Sequence, residues 1–120
     1  MDSKANLQEL KAKVQAFCEA RDWDRFHGAK DLSIGIITEA SELLEKFRFK
    51  SDADIEALLA DPQKKAGIGH EMADVLYFLL RMSQMLDIDL SEALEAKMQE
   101  NEQKYPVGKA KGKNAKYSEL

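Results

Sequence analysis

The chain has 120 residues, and its 22 Asp and Glu side chains outnumber its 18 Lys and Arg side chains, for a net charge of −4. One cysteine excludes a scaffold held by internal disulfides, and no apolar run reaches the roughly 18 residues of a membrane span. The N-terminus lacks the apolar core of a signal peptide, and the acidic body is unsuited to the phosphates of a nucleic acid polymer. We therefore expect a cytoplasmic protein that binds neither membranes nor nucleic acids.

The first half of the chain predicts two long helices, because its apolar residues recur at helical spacing. These helices cover about residues 4–20 and 30–47. Residues 21–28 break the pattern and form a loop that holds two large aromatic side chains.

The second half contains three residues that suit the position before a helix: Ser51, Asp61 and Asp89. Proline after Asp61 favours a helix start, because proline is tolerated at the first helical position. Tyr105 and Pro106 end the last helix. The predicted helices cover residues 53–60, 62 or 67 to about 86, and 89 to about 104.

These elements predict an all-α fold, in which four amphipathic helices pack as a bundle. Residues 1–105 would form the helical domain, and residues 106–120, with four lysines and one acid, a Lys-rich tail. The helix that ends near residue 86 is apolar over a wide arc, so we expect it to contact several neighbours, including another subunit. The sequence thus predicts an oligomer.

Two pairs of acidic residues carry the strongest chemical signal: Glu39 with Glu42, and Glu71 with Asp74. Residues three apart on a helix are surface neighbours, so each pair places two carboxylates close together. On a helical wheel the second pair shares its face with apolar residues, namely Val75, Phe78, Met82 and Met85. Carboxylates on such a face need compensation, which a divalent cation supplies. All-oxygen ligation favours Mg²⁺ or Mn²⁺ over Zn²⁺.

Other interpretations of these acids are weaker. A di-iron carboxylate site requires a Glu three residues before a His, and neither His27 nor His70 has one. Glu45 continues the series on its helix but turns away from the apolar stripe, so it would lie beside the site. The alternative to an enzyme is a non-catalytic helical dimerisation or adaptor module with a solvated acidic face. The apolar neighbourhood of Glu71 and Asp74 argues against that alternative.

Two further features suit a nucleotide ligand. On the last predicted helix, the face that should point into the bundle carries three polar residues, Lys97, Asn101 and Lys104. Such side chains would suit a phosphate group that lies beside a carboxylate cluster. The alternative is a lysine that extends along the bundle end to water. Trp23 and Phe26 in the loop either stack on a nucleobase or plug the end of the core.

The two acidic pairs, with 28 residues between them, resemble the signature of the MazG-like all-α nucleoside triphosphate pyrophosphohydrolases. The similarity covers roughly residues 7–117. Four strings also resemble the dCTP pyrophosphatase branch of that family: Phe17 to His27, Phe47 to Asp52, Glu71 to Leu76, and Lys97 to Pro106.

The resemblance implies a catalytic helical domain that hydrolyses a nucleoside triphosphate, dCTP or a related deoxynucleotide, to the monophosphate and pyrophosphate. It implies Mg²⁺, for which Mn²⁺ would substitute, and a homotetramer built as a dimer of dimers with sites at subunit contacts. The implied metal ligands are Glu39, Glu42, Glu71 and Asp74. The implied contacts to base or sugar are Trp23, His27, Phe49 and Phe78, and those to phosphate are Lys97 and Asn101.

We expect Glu39 or Glu42 to be the catalytic base, since a carboxylate not fully used as a ligand accepts a proton from water. The sequence departs from the branch at three positions. Phe49 replaces a Trp, Phe78 a Tyr and Lys104 an Arg. These changes weaken the inference to cytosine in particular and leave the carboxylate chemistry untouched.

Overall fold

The structure, a computed structural model, describes residues 1–120 and contains helices and no strands, which confirms the all-α prediction. It divides into two compact units, Met1–Asp87 and Ile88–Leu120. The first unit contains four helices: α1 (Leu7–Glu19), α2 (Ala29–Glu45), α3 (Asp52–Ala60) and α4 (Pro62–Met85). The second contains α5 (Leu90–Lys104) and α6 (Val107–Ala110). None of these helices combines the length and the apolar character that a membrane crossing requires.

The ends of the first two helices differ from the prediction. The predicted start of α1 at residue 4 was too early, because Asn6 caps the helix with a side-chain oxygen that accepts the Glu9 N–H over 2.9 Å. The predicted end of α2 at residue 47 was too late, since the chain changes there to tighter turns. Phe49 follows with a φ of 62°, which is outside the helical region.

The three predicted caps in the second half are confirmed. Ser51 and Asp54 form a reciprocal capping box at the start of α3. Asp61 accepts two backbone N–H groups at the start of α4, which begins at Pro62 rather than at residue 67. Asp89 caps α5 with a side-chain oxygen that accepts the Glu92 N–H. These local side-chain bonds explain why the sequence alone located these starts.

The core of the first unit lies along α4, which contacts α1, α2 and α3 and has its most extensive contact with α2. Its buried apolar side chains come from three helices, namely Cys18, Leu32, Ile68 and Leu80. Arg81 is also fully buried, although a buried guanidinium is costly unless it is paired. This core positions the facing surfaces of α2 and α4.

One stripe of α4 stays uncovered. Met72, Leu76 and Leu79 lie one turn apart on a single helix face and are 57%, 41% and 40% exposed. This stripe is part of the wide apolar arc seen in the sequence. The oligomer inferred from that arc stays a prediction.

The second unit extends past α5 through a short helix and a 3₁₀ turn at Tyr117–Glu119. The Tyr105 and Tyr117 rings meet edge to face at 6.1 Å, and the Lys104 ammonium lies 5.0 Å from the Tyr117 ring. The helix α6 in the Lys-rich segment was not predicted. The division into residues 1–105 and 106–120 remains a prediction.

Candidate functional site

Three carboxylates meet where α2 faces α4. One carboxylate oxygen from each of Glu39, Glu42 and Glu71 lies within 4.8 Å of the others. The spacing of three residues places the first two on neighbouring turns of α2, and the packing of α4 against α2 adds the third. The structure thus brings together three of the four acids that the sequence singled out as metal ligands.

The Glu39 carboxylate is the unusual member of this cluster. Its Oε2 atom is buried and has no hydrogen-bond partner. Burial is the main cause that raises the pKa of Glu39, followed by the proximity of the Glu42 carboxyl group and by the charges of Glu42, Asp74 and Glu71. A buried acceptor without a partner is rare in folded proteins, because it loses its hydrogen bonds to water and gains none in the protein. A cation beside this oxygen would supply the missing partner.

Asp74 lies one turn after Glu71 on α4 but is exposed and outside the three-carboxylate cluster. Its charge still contributes to the raised pKa of Glu39. The apolar residues that share its helix face, Val75, Phe78, Met82 and Met85, are half-buried. Its assignment as a metal ligand remains a prediction.

Sequence reasoning missed a cation that touches the cluster. The Lys46 Nζ atom lies 3.6 Å from Glu71 Oε1, and the Glu71 side chain is only 19% exposed. Lys46 directly follows α2, seven residues after Glu39, and two helical turns bring it back to the same side. That spacing of seven residues could have predicted Lys46 beside the cluster. The ion pair partly offsets the negative charge of the cluster.

Trp23 and His27 flank the 3₁₀ turn Asp24–Phe26 that precedes α2. Their rings meet edge to face at 5.9 Å, and Trp23 also meets Phe17 at 5.7 Å. Trp23 is 36% exposed, so it does not only fill the core. Phe26 is 60% exposed and lies under the Arg25 guanidinium at 5.1 Å. The structure therefore separates the two loop aromatics that the sequence treated alike.

A fully buried arginine holds His27. Arg81 Nε donates to His27 Nδ1 over 2.9 Å, and its terminal nitrogens donate to Gln84 and Asp24. Burial is the main cause that lowers the pKa of His27, and the Arg81 charge adds to it. Arg81 was not among the functional residues predicted from the sequence. Its signal was a lone charge in the apolar run of residues 75–82.

The other two predicted base contacts lie apart from each other. Phe78 is half-buried on α4, and edge-to-face ring contacts connect it through Tyr77 and Phe17 to Trp23. Phe49 is 90% exposed, and its ring lies 4.5 Å from the Arg48 guanidinium. Within the first unit, Trp23, His27 and Phe78 thus belong to one aromatic group. Phe49 does not join that group.

The two predicted phosphate contacts are both on α5, in the second unit. Lys97 Nζ lies 3.0 Å from Glu100 Oε2, and Lys104 Nζ lies 2.6 Å from Glu100 Oε1. These two lysines lower the pKa of Glu100 to about 2. Asn101 is half-buried on the same helix. The phosphate role of Lys97 and Asn101 stays a prediction.

The amino-acid sequence of this chain is similar to those of known proteins. Residues 34–120 match the model of the MazG-like family. The chain is 33% identical over 114 residues to dCTP pyrophosphatase 1 of Rattus norvegicus and 31% identical to that of Homo sapiens. In each case the match covers 95% of this chain and 67% of the relative.

A solved structure is also similar. A pyrophosphatase from Archaeoglobus fulgidus superposes with a TM-score of 0.76 and 35% sequence identity. The superposition covers 82% of this chain and 91% of the archaeal one. The family match includes both acidic pairs and most of the helical architecture. This chain therefore belongs to the MazG-like family.

Proposed function

We propose that this protein is a Mg²⁺-dependent enzyme that hydrolyses dCTP, or a related deoxynucleoside triphosphate, to the monophosphate and pyrophosphate. That it is a nucleoside triphosphate pyrophosphohydrolase follows from its family and from the pyrophosphatases that it resembles. The metal and the substrate are inferred from the site. The observation that carries the metal is the buried, unpartnered Oε2 atom of Glu39 inside a three-carboxylate cluster.

The residues present fit a divalent cation. All three carboxylates offer oxygen ligands, the type that Mg²⁺ and Mn²⁺ prefer, and one of those oxygens lacks any protein donor. Glu39, Glu42 and Glu71 would hold the cation, and Asp74 is the next acid along α4. When bound, the cation neutralises phosphate charge and favours attack at the α-phosphorus.

The carboxylates also supply the general base. Water must lose a proton as it attacks the α-phosphorus, and the bond from that phosphorus to the bridging oxygen of pyrophosphate breaks. Glu39 suits proton acceptance because it is a carboxylate of the cluster and has an oxygen without a protein donor. Glu42 suits it because it is exposed and open to water. Both remain candidates for the base.

The nucleoside would lie against Trp23 and His27, with Phe78 as a further wall. Aromatic stacking binds any base, because every base presents a π-face. We further infer that Lys97 and Asn101 contact the phosphates. A homotetramer would cover the apolar stripe at Met72, Leu76 and Leu79 and build sites at subunit contacts. The cytoplasmic location expected from composition remains a prediction.

The alternative function is a non-catalytic adaptor with a solvated acidic face. Such a face leaves each carboxylate in contact with water, whereas Glu39 Oε2 is buried. Glu71 is also largely buried and paired with Lys46. The geometry therefore favours the enzyme.

A nucleotide screen tests the proposal. The purified protein is incubated with each common deoxynucleoside and ribonucleoside triphosphate, with Mg²⁺ and with excess EDTA, and the products are identified. We expect the monophosphate and pyrophosphate, with dCTP among the best substrates and no turnover in EDTA. Release of orthophosphate in place of pyrophosphate, or full activity in EDTA, would contradict it.

A further inference from the structure

Arg81 has no access to solvent, yet it carries a permanent charge. Its three nitrogen atoms are all used: Nε donates to His27, and the terminal nitrogens donate to Gln84 and Asp24. The ion pair with Asp24 offsets the charge. The guanidinium is planar and rigid, so these three contacts hold it in one orientation. Burial of a charged side chain costs free energy, so we expect these contacts to have a function.

Its effect on His27 follows from hydrogen-bond chemistry. A guanidinium only donates, so the His27 Nδ1 atom that faces it must be unprotonated and accept. A neutral imidazole carries its single proton on the other nitrogen. Arg81 therefore commits His27 to the neutral form with an Nε2–H group. Within the structure this group meets no protein acceptor.

The groups around His27 reinforce this form. The Trp23 ring packs against it at 5.9 Å, and burial disfavours a positive charge. Asp24 and Asp31 are the negative groups near His27, and Asp24 is already engaged by Arg81. His27 thus presents a fixed donor beside a partly exposed aromatic face.

We propose that Arg81 is a positioning residue for base selection, because it directs the His27 Nε2–H toward the ring nitrogen N3 of a pyrimidine base stacked at Trp23. This inference rests on the proposed function. The ring edge of cytosine offers two acceptors, N3 and O2. Uracil and thymine carry a proton on N3, which would face another donor. The fixed imidazole therefore favours cytosine among the pyrimidines.

The first test is the tautomer itself, which needs neither catalysis nor a variant of Arg81. The chain has two histidines, so ¹⁵N-histidine labelling gives two spin systems, and a His70→Gln variant assigns them. We expect His27 in the neutral form with its proton on Nε2. A proton on Nδ1, or a charged ring at neutral pH, would overturn the inference.

The second test is base discrimination by His27. The ratio of kcat/KM for dCTP to that for dUTP is measured in the parent and in His27→Ala. We expect the ratio to fall by roughly tenfold or more, because a site built around a buried hydrogen bond strongly rejects a mismatched group. The loss should appear mainly as a higher KM for dCTP. Hydrolysis with an unchanged ratio overturns the inference alone, and no hydrolysis of any nucleotide overturns the proposed function as well.

The third test addresses Arg81. Arg81→Lys keeps a charge for Asp24 but loses the rigid fork, so we expect the ratio to fall and the His27 signals to show a mixture of tautomers. Gln84→Ala is the matched control, because it removes another Arg81 partner and leaves the His27 contact; it should keep the tautomer and the ratio. If Arg81→Lys folds and also keeps both, Arg81 does not position His27. If it does not fold, the tautomer and the His27→Ala ratio decide the inference.

Discussion

The Phe78 ring lies directly on the backbone of α2 at Gly35. A β carbon built at Gly35 would come within 2.5 Å of the ring carbon Cε1 of Phe78, far inside van der Waals contact. Glycine in a helix interior ordinarily costs about 1 kcal/mol relative to alanine. Here it allows an aromatic side chain of α4 to approach α2 closely. The helix gives up intrinsic stability to place Phe78.

Gly35→Ala should therefore destabilise the protein despite its better helix propensity. The added methyl group must displace the Phe78 ring, and overpacking of this kind costs about 1–3 kcal/mol. We expect a lower melting temperature and, if Phe78 borders the nucleoside, a higher KM. Thermal melts and steady-state kinetics measure both effects.

Gly69→Ala is the matched control, since a β carbon there meets nothing within 4 Å. It should raise stability by about 1 kcal/mol through helix propensity alone. In a Phe78→Ala background, Gly35→Ala should also become stabilising. A stabilising effect of Gly35→Ala in the parent would show that the Phe78 ring does not occupy this position.

Glu39→Gln should abolish Mg²⁺ binding and Mg²⁺-dependent hydrolysis while the fold is preserved. Removing a buried charge beside other acids should raise the melting temperature without metal, because the charged form is disfavoured there. Mg²⁺ should no longer bind by calorimetry, and kcat should fall by about 10²–10⁴-fold. Glu45→Gln, an exposed acid on α2 that pairs with Arg48, is the control and should leave all three quantities unchanged. Equal effects of the two variants would refute the metal centre.

Trp23→Ala should weaken substrate binding more than catalysis. Loss of a stacking contact is worth about 1–3 kcal/mol per base, so KM for dCTP should rise strongly. The drop in kcat should be smaller than that of Glu39→Gln. Phe26→Ala is the matched control, because this exposed aromatic of the same turn has no ring contact with Trp23 or His27. Unchanged dCTP affinity of Trp23→Ala by calorimetry would assign Trp23 to core packing.

His27 should make stability depend on pH. Its pKa is lowered in the folded protein, first by burial and then by the Arg81 charge, while the unfolded chain has the ordinary value near 6.5. A lowered folded pKa means that the contribution is complete above about pH 6.5 and is lost as the pH falls through the folded pKa. The melting temperature of the parent should therefore fall relative to His27→Gln as the pH drops below about 6.5. Parallel curves for the two proteins would contradict this.

The apolar stripe of α4 should be an interface between copies of this chain. Met72, Leu76 and Leu79 are each 40% or more exposed, and adjoining apolar side chains on one face favour association. Light scattering at micromolar concentration should give a multiple of the 13.6 kDa chain mass. Leu76→Asp should reduce that mass. A single-chain mass for the parent would exclude the oligomer.

The sequence by itself determined the features that depend on neighbours in the chain. Side-chain caps at Ser51, Asp61 and Asp89 act within three residues, so the starts of α3, α4 and α5 could be predicted without a structure. The spacing of Glu39 and Glu42 places them together on any helix. The family resemblance rests on the same local strings.

Only the tertiary structure decided which of these groups are buried and what they face. The depth of a side chain depends on the helix that packs over it, and no local spacing encodes that partner. For this reason the unpartnered oxygen of Glu39, the exposure of Phe49 and the outward position of Asp74 became visible only in the fold. The contact of Arg81 with His27 joins residues 54 positions apart, so it exists only because α4 packs against the turn before α2.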